Sequence, residues 1–195
     1  MDPQVLAAMA RWPGVPDVYG WLHVDARGGF RLRAGDGFAT IGNPALAAFI
    51  ARNYQPDARG CWYFQNGPQR VYASLALTPL VYRFDGSSPP RAQTGADAAR
   101  VHGVLIDEHA TVVLLADPGP GAIDDRDLAA FLSCVVDAGG TPATDAAVEA
   151  WLDGSEVPGL AFAWQGRHLP LARILRAQLG PRLGFDPEPR AAASA

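Results

Sequence analysis

The sequence predicts an α+β fold made of two diverged hairpin–helix–strand repeats packed into one compact body. Three observations predict it. Val101-His102-Gly103-Val104-Leu105 echoes Val18-Tyr19-Gly20-Trp21-Leu22 at an offset of 83. The run Ile123 to Leu132 matches Ile41 to Ile50 at an offset of 82 without a gap, with five of ten positions identical. Trp164-Gln165-Gly166 then echoes Phe64-Gln65-Asn66-Gly67. Leu-Ala-Ala-Phe is a cheap match in an Ala-rich chain. The recurrence of all three in one order is the pattern diverged repeats leave.

The elements follow in order. Asp2-Pro3 offers a cap and a first-turn proline, so residues 1–13 are expected to form an N-terminal helix ended by Pro13-Gly14. The first repeat, 14–86, opens with a β-hairpin. Its second arm alternates Phe30-Arg31-Leu32-Arg33, and Gly28-Gly29 supplies the turn. Asn43-Pro44 caps a helix whose apolar face carries Leu46, Phe49, Ile50 and Tyr54. Residues 61–65, 69–76 and 80–84 read as strands. Residues 87–97 are a polar connector.

The second repeat, 98–185, starts with a second hairpin around Asp107-Glu108-His109-Ala110 and runs through the helix at 123–132. Gly119-Pro120-Gly121 reads as a loop. An additional helix is expected at 143–153. Leu171, Ile174, Leu175 and Leu179 sit at helical spacing, which predicts a helix stopped by Gly180-Pro181. Residues 186–195 are expected to be a disordered tail.

Composition excludes several classes of chemistry. The chain has 195 residues, 49% of them hydrophobic, enough for a core. All sixteen basic residues are arginine, so no lysine is present for a Schiff base, a phosphate loop or a Ser–Lys dyad. The net charge of −4 speaks against nucleic acid and anionic membranes as partners. Cys61 and Cys134 stand alone in apolar runs and read as reduced core thiols. No signal peptide or spanning run is visible, so a cytoplasmic location is expected by elimination.

No hydrolase, zinc-protease, phosphate-loop or dinucleotide motif is present. Asp107-Glu108-His109 has metal-ligand chemistry but sits where a turn wants Asp, and Asp124-Asp125-Arg126-Asp127 suits a helix N-terminus. Neither a cofactor nor a metal is therefore expected.

One segment invites a functional reading. Around the Asn66-Gly67-Pro68 turn, Trp62, Tyr63, Gln65, Asn66, Gln69, Arg70 and Tyr72 combine aromatic surface, amides and a guanidinium. Consecutive aromatics in a strand must point to both faces, and Arg with Tyr or Trp is the composition of binding hot spots. The same pattern also fits a plain hairpin with core aromatics and a solvated Arg. The expected function is a non-enzymatic binding or regulatory module for an unknown protein or small ligand. The alternative is an enzyme whose Asp25, Asp107, Glu108, histidines and Arg70 converge only in space.

Met9-Ala10-Arg11-Trp12-Pro13, Val18 to Leu22, Phe49 to Tyr54 and above all Trp62 to Val71 resemble a bacterial domain family of unknown function. That resemblance covers about residues 9–185 in the order of elements, with 62–71 its specific stretch. More distantly, the layout of a hairpin, a Pro-capped helix and a strand pair of the type Gly60 to Pro79, followed by a second related unit, is similar to another uncharacterised bacterial family. That second resemblance implies a repeated α+β arrangement and a role in signalling. Neither resemblance implies a catalytic residue.

Overall fold

The computed structural model describes residues 1–155 and 159–191. Two compact units make up the chain. One comprises Met1–Pro79, Gln93–Gly95 and the residues from Gly180 onward; the other comprises Leu80–Ala92 and Ala96–Leu179.

The first unit begins with helix α1 (Pro3–Arg11), followed by β1 (Val18–Val24), β2 (Phe30–Ala34) and β3 (Gly37–Thr40). Helix α2 (Pro44–Arg52) leads into β4 (Tyr54–Pro56), β5 (Trp62–Asn66) and β6 (Gln69–Leu75). These strands form one sheet in the order β3-β2-β1-β6-β5-β4. Only β1 and β6 run parallel.

The second unit holds β7 (Leu80–Arg83), β8 (Arg91–Ala92), β9 (Val101–Ile106), β10 (Val112–Ala116) and β11 (Gly119–Ile123). A 3-10 turn (Asp125–Asp127) and α3 (Leu128–Leu132) precede β12 (Val135–Val136). Then come α4 (Asp145–Leu152), β13 (Ala161–Trp164) and β14 (Arg167–Arg173). Six of its strands stand in the order β11-β10-β9-β14-β13-β12, with β9 and β14 parallel. That is the plan of the first sheet. The second sheet adds β7 and β8 beyond β11. A short helix, α5 (Leu179–Leu183), follows β14.

The registers make the repeat quantitative. Leu22 faces Leu32 across β1 and β2, and Val104 faces Leu114 across β9 and β10. Phe64 faces Val71 across β5 and β6, and Phe162 faces Leu169 across β13 and β14. Buried positions coincide: Leu22 with Val104, Val24 with Ile106, Phe64 with Phe162.

Several expectations change. The first strands align at an offset of 82, not 83, because Leu22 shares the register position of Val104. The helices align at 81. Asn43 caps α2 by accepting from Ala45 N and Leu46 N, and Asp124, not Asp125, caps the 3-10 turn by accepting from Arg126 N. Asn53 N donates to Ile50 O as Cys134 N donates to Phe131 O. Phe131, fully buried, is therefore the counterpart of Ile50, while Phe49 is half-buried and Leu46 is exposed.

Gly119–Ile123 is a strand rather than a loop. Gly121 fits there because a side chain would collide with Tyr82, its Cβ coming 2.5 Å from the ring. Residues 167–173 form β14 rather than the start of a helix. Leu169 and Leu171 alternate at period 2 and pair with Phe162 and Val104. Gly180-Pro181 lies inside α5. Where a disordered tail is expected, Asp186 N donates to Gly60 O and Pro187 O accepts from Leu75 N; residues 192–195 lie outside the described residues.

Four turns share one device. Asp25, Asp57, Asp107 and Asp137 each accept two backbone N–H bonds through Oδ1, from the residues two and four positions on, at 2.8–3.0 Å. Each Asp N–H also donates to the carbonyl of the residue four positions on. The fourth residue of each turn is left-handed: Gly28, Gly60 and Gly140, and Ala110 at φ 59°. Asp107 is fully enclosed and ion-paired at 2.7 Å with Arg176, which lies in the 3-10 turn Arg176–Gln178. Burial opposes its ionisation, but that guanidinium and the two turn amides win, so its pKa is lowered.

Two outcomes are expected. Phe131→Ala should destabilise by about 3–5 kcal/mol, and Phe49→Ala by less than half of that, in denaturant unfolding; equal losses would return the helices to the 82 register. Asp107→Ala should cost about 1–3 kcal/mol. A lowered folded-state pKa contributes stability that is present above the unfolded value, about 3.9, and is lost as pH falls through the folded one. Unfolding measured from pH 6 downward should therefore show an acid loss that is smaller in Asp107→Asn.

Candidate functional site

The candidate segment lies on β5 and β6 of the first unit. Alternation divides it between two faces. Trp62 and Phe64 turn toward the α2 side, where Trp62 packs on Tyr54 at 5.0 Å and Phe64 meets Phe49 edge-on at 5.4 Å. Tyr63, Arg70 and Tyr72 occupy the opposite face. Trp62, Tyr63, Gln65 and Tyr72 are all buried, Asn66 is exposed, and Gln69 and Arg70 are half-buried. Gln69 Nε2 donates to Pro16 O. Gln65 Nε2 donates to Gly67 O, and its Oε1 is buried without a partner.

On that opposite face a cluster forms that sequence reasoning reached only in part. Tyr19 of β1 stacks on Tyr72 with ring centroids 4.7 Å apart and planes 3° apart. Tyr72 leans on Tyr63, whose hydroxyl accepts from Gln55 Nε2 at 2.6 Å. Two guanidiniums lie over the rings, Arg70 at 5.0 Å from Tyr63 and Arg59 at 5.7 Å from Tyr72. The Tyr72 hydroxyl donates to Asp57 Oδ2 at 3.0 Å, and Arg59 ion-pairs with the same oxygen.

The electrostatics follow from these contacts. Hydrogen bonds to Tyr19, Asp57 and Tyr72 raise the Arg59 pKa. The Tyr72 hydroxyl does the same for Arg70. Burial opposes the charge on Asp57, but the Cys61 and Arg59 amides, Tyr72 and Arg59 lower its pKa. The charges of Arg59 and Asp57 offset one another. Arg70 ion-pairs with no carboxylate among the described residues, and the charge of Asp17 acts on it only weakly. Cation–π contact holds a guanidinium in place without neutralising it. Tyr19, Arg59 and Asp57 were missed in the sequence. The signal for the latter two was the Asp57-Ala58-Arg59-Gly60 turn, a copy of Asp25-Ala26-Arg27-Gly28.

Asp25, Asp107, Glu108, His102 and His23, considered for an enzyme, each have a partner of their own. Asp25 and Asp107 hold their turns and pair with Arg31 and Arg176. Glu108 accepts from Arg176 N. His102 contacts Asp117 at 2.6 Å in the open. His23 Nδ1 lies 2.9 Å from Ser74 Oγ, with its pKa lowered by burial. No carboxylate hydrogen-bonds to His23 among the described residues, so the contact lacks the orienting third member of a triad.

A cavity of about 330 Å³ in the second unit is bordered by Arg83, Asp127, Arg91 and Asp97. Its titratable neighbours are Asp85, whose Oδ1 accepts from the Ser87 and Ser88 amides, and Arg–Asp pairs such as Arg83 Nε to Asp127 Oδ2 at 2.6 Å. A guanidinium does not give up its proton in a protein, so such a pair cannot work as acid and base. Among the described residues no group of three metal-ligating side chains comes together, and no helix is long and apolar enough to cross a membrane.

Comparison with known proteins adds the family and the fold. No curated protein matches the chain. A DUF1285 family protein from Silicibacter pomeroyi DSS-3 superposes with a TM-score of 0.54 at 12% identity, over 88% of this chain and 96% of that one. At that identity the likeness shows the fold alone. A DUF1285 family protein from Shewanella baltica OS155 reaches a TM-score of 0.41 at 12% identity, over 57% of this chain and 89% of that one. The model of the DUF2944 family, described as "Protein of unknown function (DUF2946)", matches residues 1–190, and the chain belongs to that family.

Proposed function

We propose that the chain is a non-enzymatic binding or regulatory module, and that the patch above Tyr63 and Tyr72 receives the anionic group of a ligand. Arg70 carries the reading. Its guanidinium rests on Tyr63 and donates to the Tyr72 hydroxyl, and no carboxylate among the described residues pairs with it. A fork positioned in this way retains N–H donors for a carboxylate, a phosphate or a peptide carbonyl. Arg59 and Tyr19 flank it. Of the seven residues expected to bind, Arg70 offers the accessible donors and Tyr63 and Tyr72 act as the platform; by alternation Asn66 and Gln69 belong to the other face of the hairpin, where Gln69 Nε2 donates to Pro16 O. Trp62 and Gln65 support the strand from within. A cytoplasmic, signalling-type role belongs to the same proposal and rests on the sequence alone.

The test pairs stability with binding. Wild type and Arg70→Ala are melted alone and against a panel of nucleotides and metabolite carboxylates. Arg70→Ala should leave the unliganded melt nearly unchanged, within about 0.5 kcal/mol. It should weaken a stabilising ligand by about 1.5–3 kcal/mol. An undiminished ligand shift would sink the proposal, and a collapse of stability would make Arg70 a structural residue.

A further inference from the structure

The second unit departs from the repeat at one place that creates a cavity. In the first unit the Asp57 turn leads directly from Cys61 into Trp62 of β5. In the second, the equivalent turn ends at Thr141 and β13 begins only at Ala161, with α4 between them. Thr144 Oγ1 caps α4 by accepting from Ala147 N, and Trp151 buries its ring. At the end of β14, Arg173 holds the register position that the buried Leu75 holds on β6. The added helix and the changed side chain meet: the Arg173 guanidinium lies 4.5 Å from the Trp151 ring centroid and Nη2 donates to Trp151 O.

A cavity of about 260 Å³ opens beside this pair. Ile106, Trp151, Leu152, Ile174 and Leu175 give it apolar walls. Leu152 and Leu175 are 39% and 55% exposed, unusual for leucines facing one recess. Its volume lies just below the roughly 300 Å³ at which cavities for drug-sized ligands begin, so only a small ligand fits.

The polar lining discriminates among ligands. Asp107 is committed to its turn and to Arg176, and Glu108 accepts from Arg176 N. Arg173 is fixed over the indole but ion-pairs with no carboxylate among the described residues. One oriented guanidinium calls for one planar anion. Two carboxylates close by disfavour a second negative charge. We infer that this cavity binds a small monocarboxylic acid with an apolar or aromatic body, its carboxylate on Arg173 and its body against Trp151, Leu152 and Leu175. A dianionic phosphate fits less well on both counts.

The full chain is titrated with 3-phenylpropionate, with its neutral amide and with phenyl phosphate, read by calorimetry and by tryptophan fluorescence. The carboxylate should bind saturably, and the amide and the phosphate about tenfold more weakly or worse. Arg173→Leu, which installs the first unit's residue type, should cost a comparable factor. Leu175→Glu, at an exposed position, should abolish carboxylate binding without altering the melt; it decides the matter if Arg173→Leu proves unstable. Arg70→Ala should change nothing, which separates this site from the patch on the first unit. Equal binding of acid and amide, unchanged affinity in Leu175→Glu, or no saturable binding of the acid at millimolar concentration would overturn the inference.

Discussion

The rest of the structure depends on an aspartate that folds its own chain back. A carboxylate oxygen that accepts two successive backbone N–H groups closes a tight turn, satisfies donors that would otherwise be unpaired and fixes where the next strand starts. The device appears twice in each unit, at Asp25 and Asp57 and again at Asp107 and Asp137. Because a one-residue slip would exchange the two faces of a strand, these turns hold buried and exposed residues apart. Three of the four left-handed positions are glycine, the residue for which that conformation carries no side-chain clash.

On this common frame the units differ by what is added to it. The first keeps Leu75 buried, and its distinguishing surface is a stack of tyrosines bearing two guanidiniums. The second extends its sheet with β7 and β8 and inserts α4. Asp57 links frame and surface in the first unit, since one oxygen holds the turn and the other meets Tyr72 and Arg59. Asp107 does the same in the second through Arg176. Duplication supplies a stable scaffold, and its solvent-facing extras are free to diverge.

Much of this was legible in the sequence. The α+β class, the Asn43 cap, the first hairpin and the added helix all follow from caps, periodicity and turn residues, whereas Asp2, expected to cap α1, makes no side-chain cap bond and pairs with Arg52 instead. The alignment of the helices did not, because Leu-Ala-Ala-Phe matches best one residue out of register, where identity follows composition rather than burial. β14 was obscured by apolar spacing that also suits a helix, and its Leu169 and Leu171 settle as a strand only because β9 and β13 flank them. β11 was hidden by glycine and proline, tolerated because Gly121 makes room for Tyr82. In the candidate segment, consecutive aromatics do point to both faces. The companions Tyr19 and Arg59 come from strand pairing and turn geometry that no local pattern displays.

The most direct measurement of the repeated frame is amide hydrogen exchange resolved at the four turns. The amides of Gly29, Cys61, Thr111 and Thr141 each donate to a turn aspartate, so all four should exchange far more slowly than the amides of Ala26, Ala58 and Ala138. Protection in one unit with free exchange at the matching turns of the other would contradict the account.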